Sequence, residues 1–341
     1  MLEGAWRSSL PPCSLSPAEL AEITPLLLRG GAGPLGWWRA QSSELGASPS
    51  ALLLRQSYRF HCLRDAVHQQ QLQRVVSRLR SAGVEPLLAK GWAAAGLYPE
   101  RGLRPYGDLD LYLPDEQHPA ALASLAGWDQ PAGPVDLHCG FPDLEDRRVE
   151  DLYARSRRIE LEGIDVRLLG HEDHLRLLCL HLLRHGGSRP LWLCDIGAAI
   201  ESRPGDFDWE YLFSGDPRRS EYVASTLALA HRLLGARVED TPVVERVRKL
   251  PAWVVPAVLG AWGAGFRGRE LLENHLSRPA RFLNELRHRW PNPIEATTST
   301  GAPFNALPRL PFQIANGLIR ALRFARRLSR FVSARSGAAR S

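Results

Sequence analysis

The apolar positions of the chain change period several times, and those changes lay out its elements. Over 58–82, Phe60, Leu63, Val67, Leu72, Val75, Val76 and Leu79 recur near helical spacing and Gly83 follows as a stop. This pattern predicts a helix with His61, His68 and the glutamines on its wet face. Pro86-Leu87-Leu88-Ala89 is a short apolar run that ends at Lys90-Gly91, and the Ala-rich Trp92–Leu97 comes next, which predicts strand, tight turn and helix. Asp108–Leu113 alternates, 115–126 reads as a helix, and Val135-Asp136-Leu137-His138 alternates again behind a turn at Pro131-Ala132-Gly133-Pro134. Leu152–Arg158 is predicted helical, and Ile164–Leu169 is a further alternating strand, placed at a sheet edge with Asp165 facing solvent. The order strand, helix, strand, helix, strand implies an α+β fold: an α/β core of helices packed on a small mixed sheet.

The flanks read differently. Ser16-Pro17-Ala18-Glu19 has the form of a helix start, with serine as cap and proline at the first position. The glycine cluster at 30–34 follows that helix without a P-loop lysine or Rossmann spacing, so it is a connector. From His171 the helical period takes over, and Tyr222–Leu234 has the small residues of a closely packed helix. Shorter helices punctuated by Pro251 and Pro256 are expected to 290, and Pro291–Pro311 reads as a linker. The divisions are an N-terminal helical segment at 1–57, a sheet-bearing core at 58–170, a helical domain at 171–290, a proline-rich linker at 291–311 and a basic amphipathic helix at 312–341.

Composition narrows the class. With 341 residues, 44% hydrophobic and 23% charged, the chain can bury a sizeable core. Cations exceed acids by 43 to 37, and all but Lys90 and Lys249 of those cations are arginines. Five cysteines without a Cys-x-x-Cys pair argue against a disulfide framework or a structural zinc site, and a cytoplasmic location is expected. The N-terminus shows no basic region before an apolar run, so no secretory leader is expected. The longest apolar stretch, Trp253–Phe266, is 14 residues broken by Pro256 and glycines, too short to span a bilayer.

The chemistry concentrates in 87–113. In a strand, residues two apart share a face, so Asp108 and Asp110 project together, roughly 6.6 Å apart at about 3.3 Å per residue. Two acids on one face are costly unless a cation sits between them, and Mg²⁺ fits, being completed by water and substrate phosphate. Asp136, on a neighbouring strand, supplies a third carboxylate. Three such groups can hold two metals about 3.5–4 Å apart, which clamps the attacking and leaving oxygens of an in-line displacement at phosphorus. The turn at Lys90-Gly91 can present backbone N–H groups to an anion. On the later helix, His181 and His185 stand at i, i+4, one geometry for a metal pair, with Asp195 as the available third ligand; histidines bonded within a helix interface are the alternative.

These features together resemble the DNA polymerase β-like nucleotidyltransferase superfamily, in particular its bacterial uncharacterised nucleotidyltransferase group. The resemblance rests on Lys90-Gly91 after a strand, Arg104 and Gly107 leading into Asp108-Leu109-Asp110, and Val135-Asp136-Leu137-His138. It continues in Arg155-Ser156-Arg157, His174–His181 and Leu191–Asp195, and covers roughly 87–202. It implies that 58–170 is a nucleotidyltransferase core using two Mg²⁺ ions and a nucleoside triphosphate such as ATP. Asp108, Asp110 and Asp136 would hold the metals, with Asp136 accepting the acceptor's proton. Lys90, the Gly91 amide, Arg101 and Arg104 would contact phosphate. Many superfamily members carry Gly-Ser at the first turn, whereas Gly91-Trp92 lacks the hydroxyl, which leaves phosphate to the backbone and the basic side chains.

The resemblance further implies an acceptor hydroxyl on a small molecule, saccharide or peptide, since members often lie in gene clusters for surface polysaccharides or modified peptides. Nucleic acid is not expected, because no recognisable RNA-binding module is present. In the tail, Ile314, Leu318, Leu322, Ala325, Leu328 and Val332 fall on one helical face and Arg320, Arg323, Arg327 and Arg330 on the other. Such a helix either packs on the domain or adsorbs at 312–335 to an anionic membrane, which would make the protein peripheral at the inner face. The competing functional readings are a nucleotide-binding scaffold without catalysis and a membrane-associated partner protein.

Overall fold

The computed structural model describes residues 1–128, 133–161, 163–264 and 290–338, with side chains as far as 324 in the last stretch. The expected turn residues Pro131 and Ala132, and the helices expected between 265 and 289, lie outside the described residues.

The helices are α1 (Pro17–Arg29), α2 (Gly33–Ala40), α3 (Pro49–Ser81), α4 (Gly91–Ala95), α5 (His118–Leu125), α6 (Val149–Ala154), α7 (His171–Arg184), α8 (Pro190–Glu201), α9 (Trp209–Phe213), α10 (Pro217–Leu234), α11 (Val244–Arg248), α12 (Val254–Ala264), α13 (Pro293–Ser299) and α14 (Leu310–Ala338). The strands are β1 (Leu87–Leu88), β2 (Leu109–Leu113), β3 (Val135–Cys139), β4 (Arg157–Leu161) and β5 (Ile164–Leu168). They form one mixed sheet in the order β3-β2-β1-β5-β4, in which β2/β3 and β1/β5 run parallel and β1/β2 and β4/β5 antiparallel. The fold is the expected α+β arrangement.

Alternation in β2 assigns its faces. Leu109, Leu111 and Leu113 lie under Leu72, Val75, Val76 and Leu79 of α3, while Tyr112 packs with Leu87, Phe141 and Leu177 in a separate core on the side of α7. Asp110, between two of those leucines, therefore belongs to the α7 side. A larger core joins α7, α8 and α10 and takes in Trp6 and Leu35 from the N-terminal region.

The structure corrects several expectations. The division at 57/58 falls inside α3, a single helix of 33 residues capped by the Ser48 hydroxyl, whose first half packs on α1 and α2 and whose second half covers the sheet. Along α3, Asp65, His68, Gln69 and Gln71 are buried and Phe60, Leu63 and Val67 are exposed, opposite to the predicted wet face. Three of those polar residues meet partners there. Asp65 accepts from Tyr106 at 2.8 Å, Gln71 donates to the Gly133 carbonyl at 2.7 Å, and the His68 ring lies 4.7 Å from that of Tyr106. The pattern also missed β4, part of which was read as helix; β5 is therefore interior, and β4 is the edge. Finally, 291–311 is not a plain linker. Asn292 caps α13, and Ile294, Ala302, Phe304 and Arg309 are buried.

Candidate active site

The site lies where β2 and β3 run side by side below the turn into α4. Parallel register sets Asp110 directly opposite Asp136 and Tyr112 opposite His138. His138 is two residues beyond Asp136 and shares its face. Ligand atoms of Asp110, Asp136 and His138 come within 4.8 Å of one another. His138 Nε2 is 2.9 Å from Asp110 Oδ1 and 3.3 Å from Asp136 Oδ2, and its ring stacks on Tyr112 with centroids 4.3 Å apart. Exposure separates the two acids: 8% of the Asp110 side chain is accessible against 51% for Asp136.

Lys90 completes the group. Its ammonium donates to Asp110 Oδ1 at 2.7 Å, lies 3.3 Å from His138 Nε2, and sits 5.3 Å from the Tyr112 ring centroid. Its backbone has φ 52° and ψ −131°, and among the described residues it is the one non-glycine with positive φ. Such a conformation costs on the order of 1–3 kcal/mol and persists only where the surroundings impose it. Here the Lys90 N–H donates to Nε2 of the buried His174 at 3.2 Å, which ties the turn to α7. Burial, followed by the charge of Arg157, pushes the His174 ring down to about 3 and keeps it a neutral acceptor.

The carboxylates respond to these neighbours in opposite directions. Burial raises Asp110, but the His138 hydrogen bond and the Lys90 charge outweigh it and hold the carboxyl below its ordinary value. Asp108 is raised, first by burial and then by the charge of Asp110, with Lys90 opposing. Asp108 precedes β2 rather than lying within it, and it stands outside the Asp110–Asp136–His138 group. The charges of both Asp110 and Asp136 reach it, as expected of a carboxyl beside the site. Gly91 is also constrained: an added methyl would lie 3.3 Å from the Asp108 carbonyl and 3.4 Å from Asp110 Oδ2. Oxygen donors around a cradle that a side chain would fill suit a hard divalent cation.

The two loop arginines have other partners. Arg104 is buried against Asp195, with Nη2 2.7 Å from Oδ2 and Nε 3.1 Å from Oδ1, and Asp195 also accepts from the Tyr98 hydroxyl at 2.8 Å. This clamps the loop before β2 onto α8 and turns Arg104 away from the role of phosphate arm. It also removes Asp195 as a third ligand for the His181/His185 pair. Those two rings pack instead around Trp192, with His181 tilted 4.6 Å from His185. Arg101, with 64% of its side chain accessible, lies 3.2 Å from Asp65.

Two residues were not assigned a role in the sequence. His138 was signalled by its Asp-x-His spacing on a strand. Arg189, beside the Trp192 ring at 4.9 Å and near enough to Asp108 to feel its charge, had no such signal, because the contact spans distant segments.

The small mixed sheet thus brings facing acids together on adjacent parallel strands, next to a Lys-Gly turn. The model of a family described as uncharacterised nucleotidyltransferases matches residues 16–131 and 133–235, well over half of the chain, and the chain belongs to that family. No curated protein and no solved structure matches it.

Proposed function

We propose that this transferase moves a nucleoside monophosphate from a nucleoside triphosphate to an acceptor hydroxyl, with Mg²⁺ held by Asp110, Asp136 and Asp108. The observation that carries the reading is the cross-strand pairing of Asp110 with Asp136 under the Lys90 ammonium. Bound at these carboxylates, a pair of Mg²⁺ ions supplies charge neutralisation at the attacking and leaving oxygens.

The chain's own residues divide the remaining work. Asp136, the exposed acid, receives the proton of the acceptor hydroxyl as its oxygen bonds to the α-phosphorus. The bond from that phosphorus to the bridging oxygen breaks, and pyrophosphate leaves. His138, between the two acids, orients both. Lys90 and the Gly91 amide face the phosphates, with Arg101 and Arg189 as outer cations, since charge developing on the transferring group needs fixed positive partners. A small-molecule, saccharide or peptide hydroxyl is the proposed acceptor class.

Calorimetry with each of the four ribonucleoside triphosphates, with and without Mg²⁺, tests this directly. Metal-dependent binding that is lost in D108A/D110A is expected, together with pyrophosphate release when an acceptor is supplied. A folded wild type that binds none of the four would overturn the reading in favour of a membrane-associated partner protein.

A further inference from the structure

The C-terminal helix is mounted with its apolar face outward. At about 100° per residue, Leu310, Ile314, Leu318 and Leu322 form one stripe along α14. Those residues are 57%, 48%, 62% and 61% accessible, so the stripe is exposed. The opposite side is the docked one. Asn316 is buried and donates to the Ser299 hydroxyl, Gln313 donates to the Pro291 carbonyl at 2.7 Å, and Arg320 lies 3.6 Å from Glu295. An ordinary surface helix does the reverse, burying its apolar stripe and wetting its polar one.

Charge indicates what covers the stripe. No acidic residue occurs between Glu295 and Ser341, whereas Arg323, Arg326, Arg327, Arg330, Arg335 and Arg340 follow the docked Arg320. An arginine-rich, acid-free segment bearing an exposed apolar stripe matches an anionic lipid surface, where acyl chains take the leucines and headgroups take the guanidiniums. None of the described helices is long and apolar enough to cross a bilayer, which leaves binding in the plane of the interface.

We infer that α14 lies in the headgroup layer of an anionic membrane with Leu310, Ile314, Leu318 and Leu322 inserted, while Asn316, Gln313 and Arg320 hold the enzyme to it. The helix docks and inserts at once, because the two functions use opposite faces. A nucleic acid partner would be drawn by the arginines but gives the leucine stripe nothing to enter, so lipid is the occupant that both features favour.

Flotation of the full-length protein with vesicles tests this without reference to catalysis. Vesicles containing about a third phosphatidylglycerol in phosphatidylcholine are compared with phosphatidylcholine alone. Binding to the anionic vesicles only is expected. L318N/L322N, whose sites are already exposed, is expected to keep the wild-type melting temperature. Its vesicle affinity should fall about tenfold or more, because two apolar side chains no longer enter the acyl layer. R323Q/R326Q/R327Q gives an independent arm, with weaker binding and a shallower dependence on salt. Equal binding to neutral vesicles, unchanged affinity in both variants, self-association of the wild type without flotation, or tight binding only to nucleic acid would each overturn the inference.

Discussion

Arg104→Met decides between two roles for one residue. Arg104 and Asp195 are 6% and 0% accessible at the side chain, joined by nitrogen–oxygen distances of 2.7, 3.1 and 3.2 Å. Methionine fills most of the arginine volume but leaves the Asp195 carboxylate buried, accepting from the Tyr98 hydroxyl at 2.8 Å. Removing one member of a buried pair costs about 3–5 kcal/mol, because the other charge stays desolvated. At roughly 2–3 °C per kcal/mol in a chain of this size, the melting temperature should drop by about 6–15 °C. R104M/D195L, with both charges gone, should recover most of that loss, so the double-mutant cycle returns a large coupling energy. The assay is paired: urea or thermal melts for stability, and triphosphate binding at a temperature where each variant is folded. A lost phosphate contact would cost about 1.5–3 kcal/mol, or roughly 10- to 150-fold in affinity. An unchanged melting temperature with such a loss of affinity would refute the clamp and restore Arg104 to the phosphate site.

Three further outcomes are expected. Asp136→Asn should leave stability within about 0.5 kcal/mol, since the side chain is half exposed, while turnover falls about 10²- to 10⁴-fold; a pyrophosphate-release assay reads the second and a melt the first. The His174 ring, held at about 3, resists a proton that the unfolded chain accepts near pH 6.5, so its stabilisation is complete above that pH and is lost as pH falls towards the folded value. From this ring alone the protein should be about 2 kcal/mol less stable at pH 5 than at pH 7, and His174→Gln should flatten that part of the pH profile in urea melts. Gly197→Ala should destabilise by about 1–3 kcal/mol, because the new methyl would stand 2.5 Å from the Trp6 ring; a denaturant midpoint shared with wild type would contradict that packing.

What the sequence disclosed was local. Alternation in Asp108–Leu113 and Val135–His138 gave two strands and placed Asp110 and Asp136 together, because side-chain direction in a strand follows directly from spacing. Ser16 and Glu19 announced the start of α1, and the capping box they form is present. What stayed hidden depends on partners remote in the chain. Arg104 looks like a free cation until Asp195, 91 residues away, is brought against it. Asp65, His68 and Gln71 look solvated until the Tyr106 loop and Gly133 arrive. Periodicity likewise separated the apolar and basic faces of α14, but not which of them meets the body, since that is decided by Asn316, Gln313 and Arg320 finding partners around α13. The prolines of 291–311 suggested a break in structure, yet Pro293 stands at the first position of α13, where proline is favoured.

The seating of Trp6 has a consequence for how the protein is made. Trp6 belongs to the core of α7, α8 and α10; the Gly4 N–H donates to the Leu234 carbonyl at 3.1 Å, and Arg7 pairs with Glu201. A ribosome therefore releases residues 4–7 long before their binding surface exists, and they wait until Leu234 has emerged. The sheet can assemble earlier, but the helical core closes only when its oldest and newest segments meet. Contacts of such sequence separation slow folding and leave apolar surface uncovered in the interval. Residues 4–7 thus act as a late latch of the fold, and Trp6→Ala should loosen the helical core they close.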